Sequence, residues 1–261
     1  MAHPFLSGIN RPAPTWTSIL RMAGRSALRI MTPPCCLFCH DQPEFRHGLC
    51  QACWYALPFT LGCCCSHCAR ALVQPGICGQ CQQQPPSFDD IAAPLFYKNP
   101  VDKILCALKY RQQISFARTA AGVIADNALA RGQKRPDLLC AVPMTRRALR
   151  RRGLNQSAFI AQLVSRKLGI PVNISLLKKV RDTDRQSTLS ARKRRKNLID
   201  VFTCKHRLDG QHIALVDDIL TTGATGNEVS KVLKLAGAAR VDLWVSARTG
   251  EPPKQNHRRT K

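Results

Sequence analysis

The sequence has few aromatic residues, few acids and no long apolar run. Aromatic residues make up 6% of its 261 residues, so a nucleic-acid surface built mainly on stacked rings is not expected, and Trp54, Tyr97 and Tyr110 are weak candidates for stacking. No stretch approaches the ~20 apolar residues that a membrane span requires. The basic segment near the N-terminus lacks the uninterrupted apolar centre of a secretory signal. These absences predict a cytoplasmic protein without a transmembrane segment.

Acids are scarce relative to bases, since 40 Lys and Arg stand against 16 Asp and Glu and give a formal net charge of +24. Such an excess attracts polyanions, with nucleic acid first and anionic membrane second. Two segments, 146–152 and 185–196, concentrate the positive charge. The predicted nucleic-acid-binding residues in them are Arg147, Arg150, Arg151, Arg192, Lys193, Arg194, Arg195 and Lys196. The alternative is that each run is simply a solvated face.

Cysteine is abundant, with fourteen residues that fall mostly in C-x-x-C pairs. Four such pairs are separated by 10, 11 and 9 residues, a spacing that predicts two tetrahedral Cys₄ zinc sites rather than disulfides. The predicted ligands are Cys36, Cys39, Cys50, Cys53, Cys65, Cys68, Cys78 and Cys81. The simplest grouping is sequential, although a cross-braced grouping also fits, and cysteines 35, 63 and 64 are alternate ligands. We expect Cys106, Cys140 and Cys204 to be ordinary core residues.

Strand and helix patterns alternate along the rest of the chain, which predicts an α/β fold with a mostly parallel sheet and helices on both faces. The predicted strands are 91–98, 137–142, 173–180, 213–216 and 240–246, and the predicted helices are 101–110, 115–131, 155–168 and 226–236. We divide the chain into a poorly ordered extension (1–34), a double zinc ribbon (35–84), the α/β domain (88–248) and a disordered basic tail (249–261).

The strongest functional signal lies in the stretch 213–225. Four apolar residues read as a buried strand, Asp217 and Asp218 follow, and small and hydroxyl residues around Gly223 lead into a helix. Ligands of open α/β sheets lie beyond the strand C-termini, and a helix N-terminus there suits a phosphate. Paired carboxylates hold Mg²⁺ or hydroxyl groups. The stretch therefore predicts a site for a phosphorylated, polyhydroxylated, metal-bound ligand; the alternative is a plain junction in which Asp and Thr are solvated caps.

The run from Val216 to Thr225 resembles the phosphoribosyl pyrophosphate (PRPP) loop of type I phosphoribosyltransferases. The resemblance implies that Asp217 and Asp218 face the ribose hydroxyls and Mg²⁺. It also implies that the 5′-phosphate lies against a turn formed by Thr221, Thr222, Gly223, Ala224 and Thr225.

A wider set of motifs resembles the ComF family of competence-associated proteins and its GntX-type relatives. These motifs are the C-x-x-C array, Leu105-x-x-Leu108-Lys109-Tyr110, Val142-Pro143-Met144, Arg152-Gly153-Leu154-Asn155-Gln156, Arg181-Asp182-Thr183 and the PRPP loop. The resemblance implies a pyrophosphate loop made by Pro143, Met144, Thr145 and Arg146, with Arg152, Asn155 and Gln156 nearby. It places a flexible catalytic loop at 181–196.

The predicted function is that of a ComF-like protein of natural transformation and DNA utilisation. The resemblance implies binding of PRPP with Mg²⁺, binding of single-stranded DNA through the basic surfaces, and partners in the DNA-uptake machinery. One alternative is an active phosphoribosyltransferase, although no segment specifies the acceptor. A second alternative is a non-catalytic docking scaffold, which predicts affinity for neither PRPP nor DNA.

Overall fold

The protein is described from a computed structural model, which covers residues 35–60, 63–110, 113–132, 134–181 and 201–250. The predicted extension (1–34), most of the basic loop (182–196) and most of the tail (251–261) lie outside the described residues. The same holds for five predicted nucleic-acid-binding residues, Arg192, Lys193, Arg194, Arg195 and Lys196.

A parallel sheet forms the centre of the molecule. The strands in chain order are β1 (Asp90–Ala92), β2 (Leu95–Phe96), β3 (Leu138–Ala141), β4 (Leu177–Lys179), β5 (Phe202–Cys204), β6 (His212–Leu220) and β7 (Arg240–Arg248). The sheet has the order β1-β7-β6-β3, with β2 also on β7, and every pairing in it is parallel. Strands β4 and β5 form a separate antiparallel pair.

The helices in chain order are α1 (Gln51–Tyr55), α2 (Gly79–Gln83), α3 (Val101–Tyr110), α4 (Phe116–Ala130), α5 (Arg146–Arg152), α6 (Gln156–Leu168) and α7 (Ala224–Leu235). Helices α4 and α6 cover one face of the sheet, and α7 covers the other. Along β6, Ala214 and Val216 belong to the core under α4 and α6, whereas Ile213 and Leu215 belong to the core under α7. This alternation follows the two-residue period of a strand. The predicted fold class, with a small Cys-rich N-terminal part, is confirmed.

Several elements differ from the predicted ones. Strand β6 continues through both acids to Leu220, because β7 runs beside it and pairs Leu220 with Arg248. Helix α7 begins at Ala224, two residues earlier than predicted. The arginine run 146–152 forms a helix of its own, α5, between a Thr145 cap and Gly153. The predicted strand 91–98 is split into β1 and β2, and the strand predicted at 173–180 is reduced to β4.

The first part of the cysteine-rich region packs directly against the α/β domain. His47 Nε2 lies 2.6 Å from Asp126 Oδ2, and Thr119 Oγ1 donates to the backbone oxygen of His47 at 2.8 Å. The His47 ring lies so close to α4 that a Cβ atom added at Gly122 would collide with it. Cys50 and Trp54 therefore belong to the main hydrophobic core.

The three cysteines predicted as ordinary core residues have different environments. Cys140 is buried as expected, Cys204 is half-buried, and Cys106 is exposed on α3. The expectation for Cys106 is wrong because its helical position faces solvent, although its neighbours Leu105 and Leu108 are buried. Within the described part of the chain, no helix is both long enough and apolar enough to cross a membrane.

Candidate functional site

The eight predicted zinc ligands form two groups of four thiols. Within each group the sulfur atoms lie within 4.8 Å of one another, and the grouping is sequential: Cys36, Cys39, Cys50 and Cys53, then Cys65, Cys68, Cys78 and Cys81. A tetrahedral site with ~2.3 Å Zn–S bonds requires sulfur atoms ~3.8 Å apart. The Cys39–Cys50 and Cys68–Cys78 sulfur distances are both 3.7 Å. Both groups therefore have the size of a Zn(Cys)₄ centre, and cysteines 35, 63 and 64 belong to neither.

Backbone amides point at some of these sulfur atoms and favour their thiolate forms. The amide of Phe38 donates to Cys36 Sγ at 3.4 Å, and the amide of Cys78 donates to Cys65 Sγ at 3.3 Å. Burial by itself raises the pKa of Cys36, but the amide donors bring that pKa down to about 6. The same balance lowers the pKa of Cys65 to about 7. Thiolate is the form that binds zinc.

The acid pair and the predicted pyrophosphate loop open at the same edge of the sheet. Strand β3 ends level with the residue before the acids, since Ala141 pairs with Val216. The amide of Val142 then donates to the Val216 oxygen at 3.1 Å. Val142 and Asp217 are consequently the next residues of two neighbouring parallel strands, where β3 ends and β6 continues to Leu220. The loop after β3 and the turn after Leu220 both follow the carboxyl ends of their strands, at the same edge of the sheet.

Each acid of the pair has its own partner. Ser157 Oγ donates to Asp217 Oδ1 at 2.7 Å, and Lys109 Nζ lies 2.7 Å from Asp218 Oδ2. Burial and then the neighbouring charge of Asp218 raise the pKa of Asp217 to about 7, against the pull of Ser157. Burial lowers the pKa of Lys109, but the Asp218 carboxylate more than offsets this, so the pKa lies above its ordinary value.

Sequence reasoning did not assign a site role to Ser157 or Lys109. Lys109 lies on α3, within the motif 105–110 that carries part of the family resemblance. Ser157 is the second residue of α6 and follows Asn155 and Gln156. Nothing in the spacing of these residues shows that α3 and α6 bring them to the acids. The local motifs were visible, but the contact between them was not.

The predicted phosphate turn forms the entrance to α7. Gly223 has φ 80°, a left-handed conformation that favours glycine, and is the N-cap of this 12-residue helix. Thr221 and Thr222 are exposed, and Thr222 Oγ1 accepts from the amide of Ala224 at 3.4 Å. The positive end of α7 and two hydroxyl side chains therefore lie at the edge where the acids lie, which suits a phosphate. Thr225 is in the first turn of α7.

The predicted pyrophosphate loop contains several residues with structural contacts. Thr145 is buried and caps α5 through its hydroxyl, which accepts from Ala148 at 3.1 Å. Asn155 caps α6, and its side-chain amide donates to the Val142 oxygen at 3.1 Å. Gln156 is buried. The remaining members of the predicted set are Pro143, which is buried, Met144 and Arg152, which are half-buried, and Arg146, which is exposed.

Helix α5 carries Arg147, Arg150 and Arg151, the predicted nucleic-acid-binding residues that the structure describes. Arg146, Arg147, Arg150 and Arg151 are all exposed. They form two i,i+4 pairs of like charge, an arrangement that disfavours a helix by ~0.2–0.5 kcal/mol per pair. The helix nevertheless forms between its Thr145 cap and Gly153, at the same edge as the acid pair.

Comparison with known proteins gives matches to both parts of the chain. Residues 27–82 match the double zinc ribbon domain, and residues 154–259 match the phosphoribosyl transferase domain. The chain is 32% identical to competence protein F of Haemophilus influenzae over 225 residues, which is 82% of this chain and 96% of that protein. It is 30% identical to DNA utilization protein YhgH of Salmonella typhimurium over 226 residues, 84% of this chain and 99% of that protein. Among solved structures, a purine phosphoribosyltransferase from Pyrococcus horikoshii matches 51% of this chain and 81% of its own, at 19% identity and a TM-score of 0.32.

Proposed function

The chain belongs to the family of competence protein F and DNA utilization protein YhgH, and from this we propose that it acts in DNA utilisation by binding PRPP with Mg²⁺ and single-stranded DNA. The observation that carries the first part is the meeting of Asp217, Asp218 and the turn 221–225 with the loop after β3 at one sheet edge. Paired carboxylates, a helix N-terminus and arginines in one crevice suit a ligand with phosphate at both ends.

Different side chains at this edge would contact different parts of PRPP. Asp217 and Asp218 would accept hydrogen bonds from the ribose hydroxyls. Their carboxylate oxygens would also hold Mg²⁺, which prefers oxygen ligands. Bound there, Mg²⁺ would neutralise pyrophosphate oxygens. The turn 221–225 would donate its hydroxyl and amide groups to the 5′-phosphate. Lys109 and Ser157 would keep the two carboxylates in place, since both already contact them at 2.7 Å.

Calorimetry with PRPP and Mg²⁺ tests this assignment. We expect saturable binding by the zinc-loaded chain and at least a tenfold loss of affinity in Asp217→Asn and Asp218→Asn, because each removes a charge-assisted contact of about 1.5–3 kcal/mol. Asp209→Asn is the matched control, since Asp209 is exposed and lies outside the crevice. Equal affinity in the acid-pair variants and in the control would show that PRPP does not use this site.

The exposed arginines of α5 support the second part of the proposal. Their charge would contact the DNA backbone, and single-strand binding loses ~0.7 units of log–log salt slope for each phosphate contact removed. Replacing Arg147, Arg150 and Arg151 together by Gln should therefore reduce the salt slope for an oligo(dT) probe by ~2. The same triple variant should keep its zinc and its fold, because none of these side chains is buried.

Three outcomes separate the alternatives. An unchanged salt slope in the triple variant would assign DNA binding to another surface. A zinc-loaded chain that binds neither PRPP nor oligo(dT) would be a docking scaffold. Release of pyrophosphate on addition of an acceptor, abolished by Asp217→Asn, would identify an active phosphoribosyltransferase.

A further inference from the structure

Lys109 carries a positive charge from α3 to the acid pair. Its Nζ atom lies 2.7 Å from Asp218 Oδ2, and its side chain is 22% exposed. The other carboxylate oxygen of Asp218, Oδ1, accepts from the amide of Ile219 at 2.7 Å. Both oxygens of this carboxylate therefore have a partner within the protein, and a metal ion that binds Oδ2 has to compete with the Lys109 ammonium group.

Asp217 has a different kind of partner. Its Oδ1 atom accepts from Ser157 Oγ at 2.7 Å and from the amide of Asp218 at 2.9 Å. Both donors are neutral, so they satisfy the carboxylate without cancelling its charge. The two acids are therefore unequal towards a metal ion, because an ammonium group contacts Asp218 and neutral donors contact Asp217.

Lys109 also lies near the predicted pyrophosphate loop. Burial and the positive charge of Arg152 act to lower the pKa of Lys109, whereas the charges of Asp218 and Asp217 raise it and prevail. Arg152, at the end of α5, is therefore close enough to Lys109 for their charges to repel. A phosphate bound beside these two cations would relieve that repulsion, because it gives each of them an anionic partner.

A purely structural ion pair is the competing explanation for the contact between Lys109 and Asp218. Breaking a fully buried ion pair is strongly destabilising, which would hold the ammonium group at Asp218. This pair is only partly buried, since the side chains of Lys109 and Asp218 are 22% and 11% exposed. The ammonium group also ends a flexible four-carbon stem. Lys109 can therefore exchange Asp218 for another anion at a lower cost than a lysine in a closed core.

We propose that Lys109 is an internal cation that competes with Mg²⁺ for Asp218 and turns to the phosphates of PRPP when that ligand binds. The inference rests on the proposed function and adds to it a dependence of metal binding on PRPP. Before PRPP binds, the ammonium group weakens the attraction of the acid pair for the metal. Bound PRPP gives Lys109 another anionic partner, so Asp218 becomes available to Mg²⁺.

The metal affinity measured without PRPP tests the first half of this inference. Mn²⁺ is the probe, because it takes the same oxygen ligands as Mg²⁺ and its electron paramagnetic resonance signal reports the free ion. The zinc-loaded full chain should bind Mn²⁺ at least tenfold more tightly in Lys109→Met and in Lys109→Gln, because the metal no longer displaces a cation. Lys109→Arg keeps the charge and should preserve the weak affinity. Lys103→Met is the matched control, since Lys103 is exposed on the same helix.

Calorimetry with PRPP and no added divalent metal tests the second half. Both neutral variants should bind PRPP at least tenfold more weakly, because they lose a charge-assisted contact with phosphate, and Lys109→Arg should retain most of the affinity. Opposite changes in metal and PRPP affinity identify the proposed role, since a lysine that only held Asp218 in place would weaken both when removed. A zinc content of two per chain and a cooperative urea transition show that each variant is folded.

The outcomes for the two ligands are separable. A chain that binds no PRPP, but whose neutral Lys109 variants bind Mn²⁺ more tightly, would refute the proposed function and leave the competition at Asp218 standing. Mn²⁺ affinity in both neutral variants that is equal to or below that of the unsubstituted chain would overturn the inference, whatever the result with PRPP. Metal-free PRPP affinity that is unchanged in both neutral variants would overturn the transfer of Lys109 to the ligand.

Discussion

Asp217 should destabilise the ligand-free protein at neutral and alkaline pH. Burial and the charge of Asp218 raise its pKa from 3.8 to about 7. An acid whose pKa is higher in the folded state than in the unfolded state holds an extra proton when folded, so stability falls as pH rises between these two values. We therefore predict that Asp217→Asn stabilises the magnesium-free protein at pH 8, although it removes a residue of the proposed ligand site.

The size of the effect follows from the pKa difference. A shift of about three units corresponds to ~4 kcal/mol at ~1.36 kcal/mol per unit, which is an upper limit. Asp217 is half-buried and its amide replacement loses part of the Ser157 contact, which costs ~1 kcal/mol. A net gain of ~2 kcal/mol at pH 8 is therefore expected. The gain should disappear as the pH falls through 3.8, because the carboxyl group then becomes protonated in the unfolded state as well as in the folded state.

Urea unfolding from pH 5 to pH 8, without added Mg²⁺ and without chelator, measures this difference. The difference between variant and unsubstituted chain cancels the other groups that titrate in this range, including histidines and thiols. Asp209→Asn, which removes an exposed acid, should show a flat difference. The reasoning would be refuted if Asp217→Asn were less stable than the unsubstituted chain at pH 8. It would also be refuted if the stability difference did not grow with pH, because a raised pKa of Asp217 requires that growth.

Four further substitutions test the packing around the acid pair and the cysteine groups. Lys109→Met removes the cation 2.7 Å from Asp218. Urea unfolding should show that the free energy of unfolding falls by ~2 kcal/mol. This is less than the ~3–5 kcal/mol expected when a fully buried ion pair is broken, because Lys109 is partly exposed. Cys50→Ser and Cys78→Ser should each reduce the zinc content by one per chain. Only Cys50→Ser should strongly lower the midpoint of the main unfolding transition, because Cys50 belongs to the central core and Cys78 belongs to a separate cluster. Gly122→Ala should destabilise by ~1–3 kcal/mol through overpacking, even though alanine favours helices, because its Cβ would meet the ribbon's histidine ring.

Each of these results has a control and a contrary outcome. Cys106→Ser, at an exposed thiol outside both groups, should leave the zinc content unchanged. Equal effects of the two cysteine variants on the main transition would show that the two ribbons unfold as one unit. Unchanged stability in the glycine variant would mean that the first ribbon can move away from α4, and unchanged stability in the lysine variant would mean that Asp218 does not depend on its cation.

The edge of the sheet that carries the site could be predicted from sequence because it depends on local patterns. A short apolar strand, two acids and a glycine-containing turn follow one another in the chain, and parallel strands place such turns at one edge. The eight zinc ligands could be predicted for the same reason, since they lie in C-x-x-C pairs, but the spacing left sequential and cross-braced groupings of these pairs open. The length of β6 could not be predicted, because its continuation past Val216 depends on pairing with the distant strand β7.

The contacts that modify the site were not predictable, because they join segments far apart in the chain. Lys109 reaches Asp218 from α3, and the second ribbon approaches the turn 221–224 from the other end of the sequence. Helix α5 could not be predicted from its sequence, because arginines in a first helical turn oppose the helix dipole. Its Thr145 cap and the left-handed Gly153 at its end explain why it forms.

The structure assigns the positive charge of this chain to two environments that respond differently to salt. The arginines of α5 are exposed, so ions screen their attraction to DNA beyond ~8 Å at physiological ionic strength. Arg248 is buried between the ribbon and the turn, where screening is much weaker. Oligo(dT) binding should therefore weaken steeply between 50 and 300 mM salt, roughly as the number of phosphate contacts requires. Oligo(dT) affinity that stays constant over this range would contradict the assignment of the DNA contacts to the exposed arginines of α5.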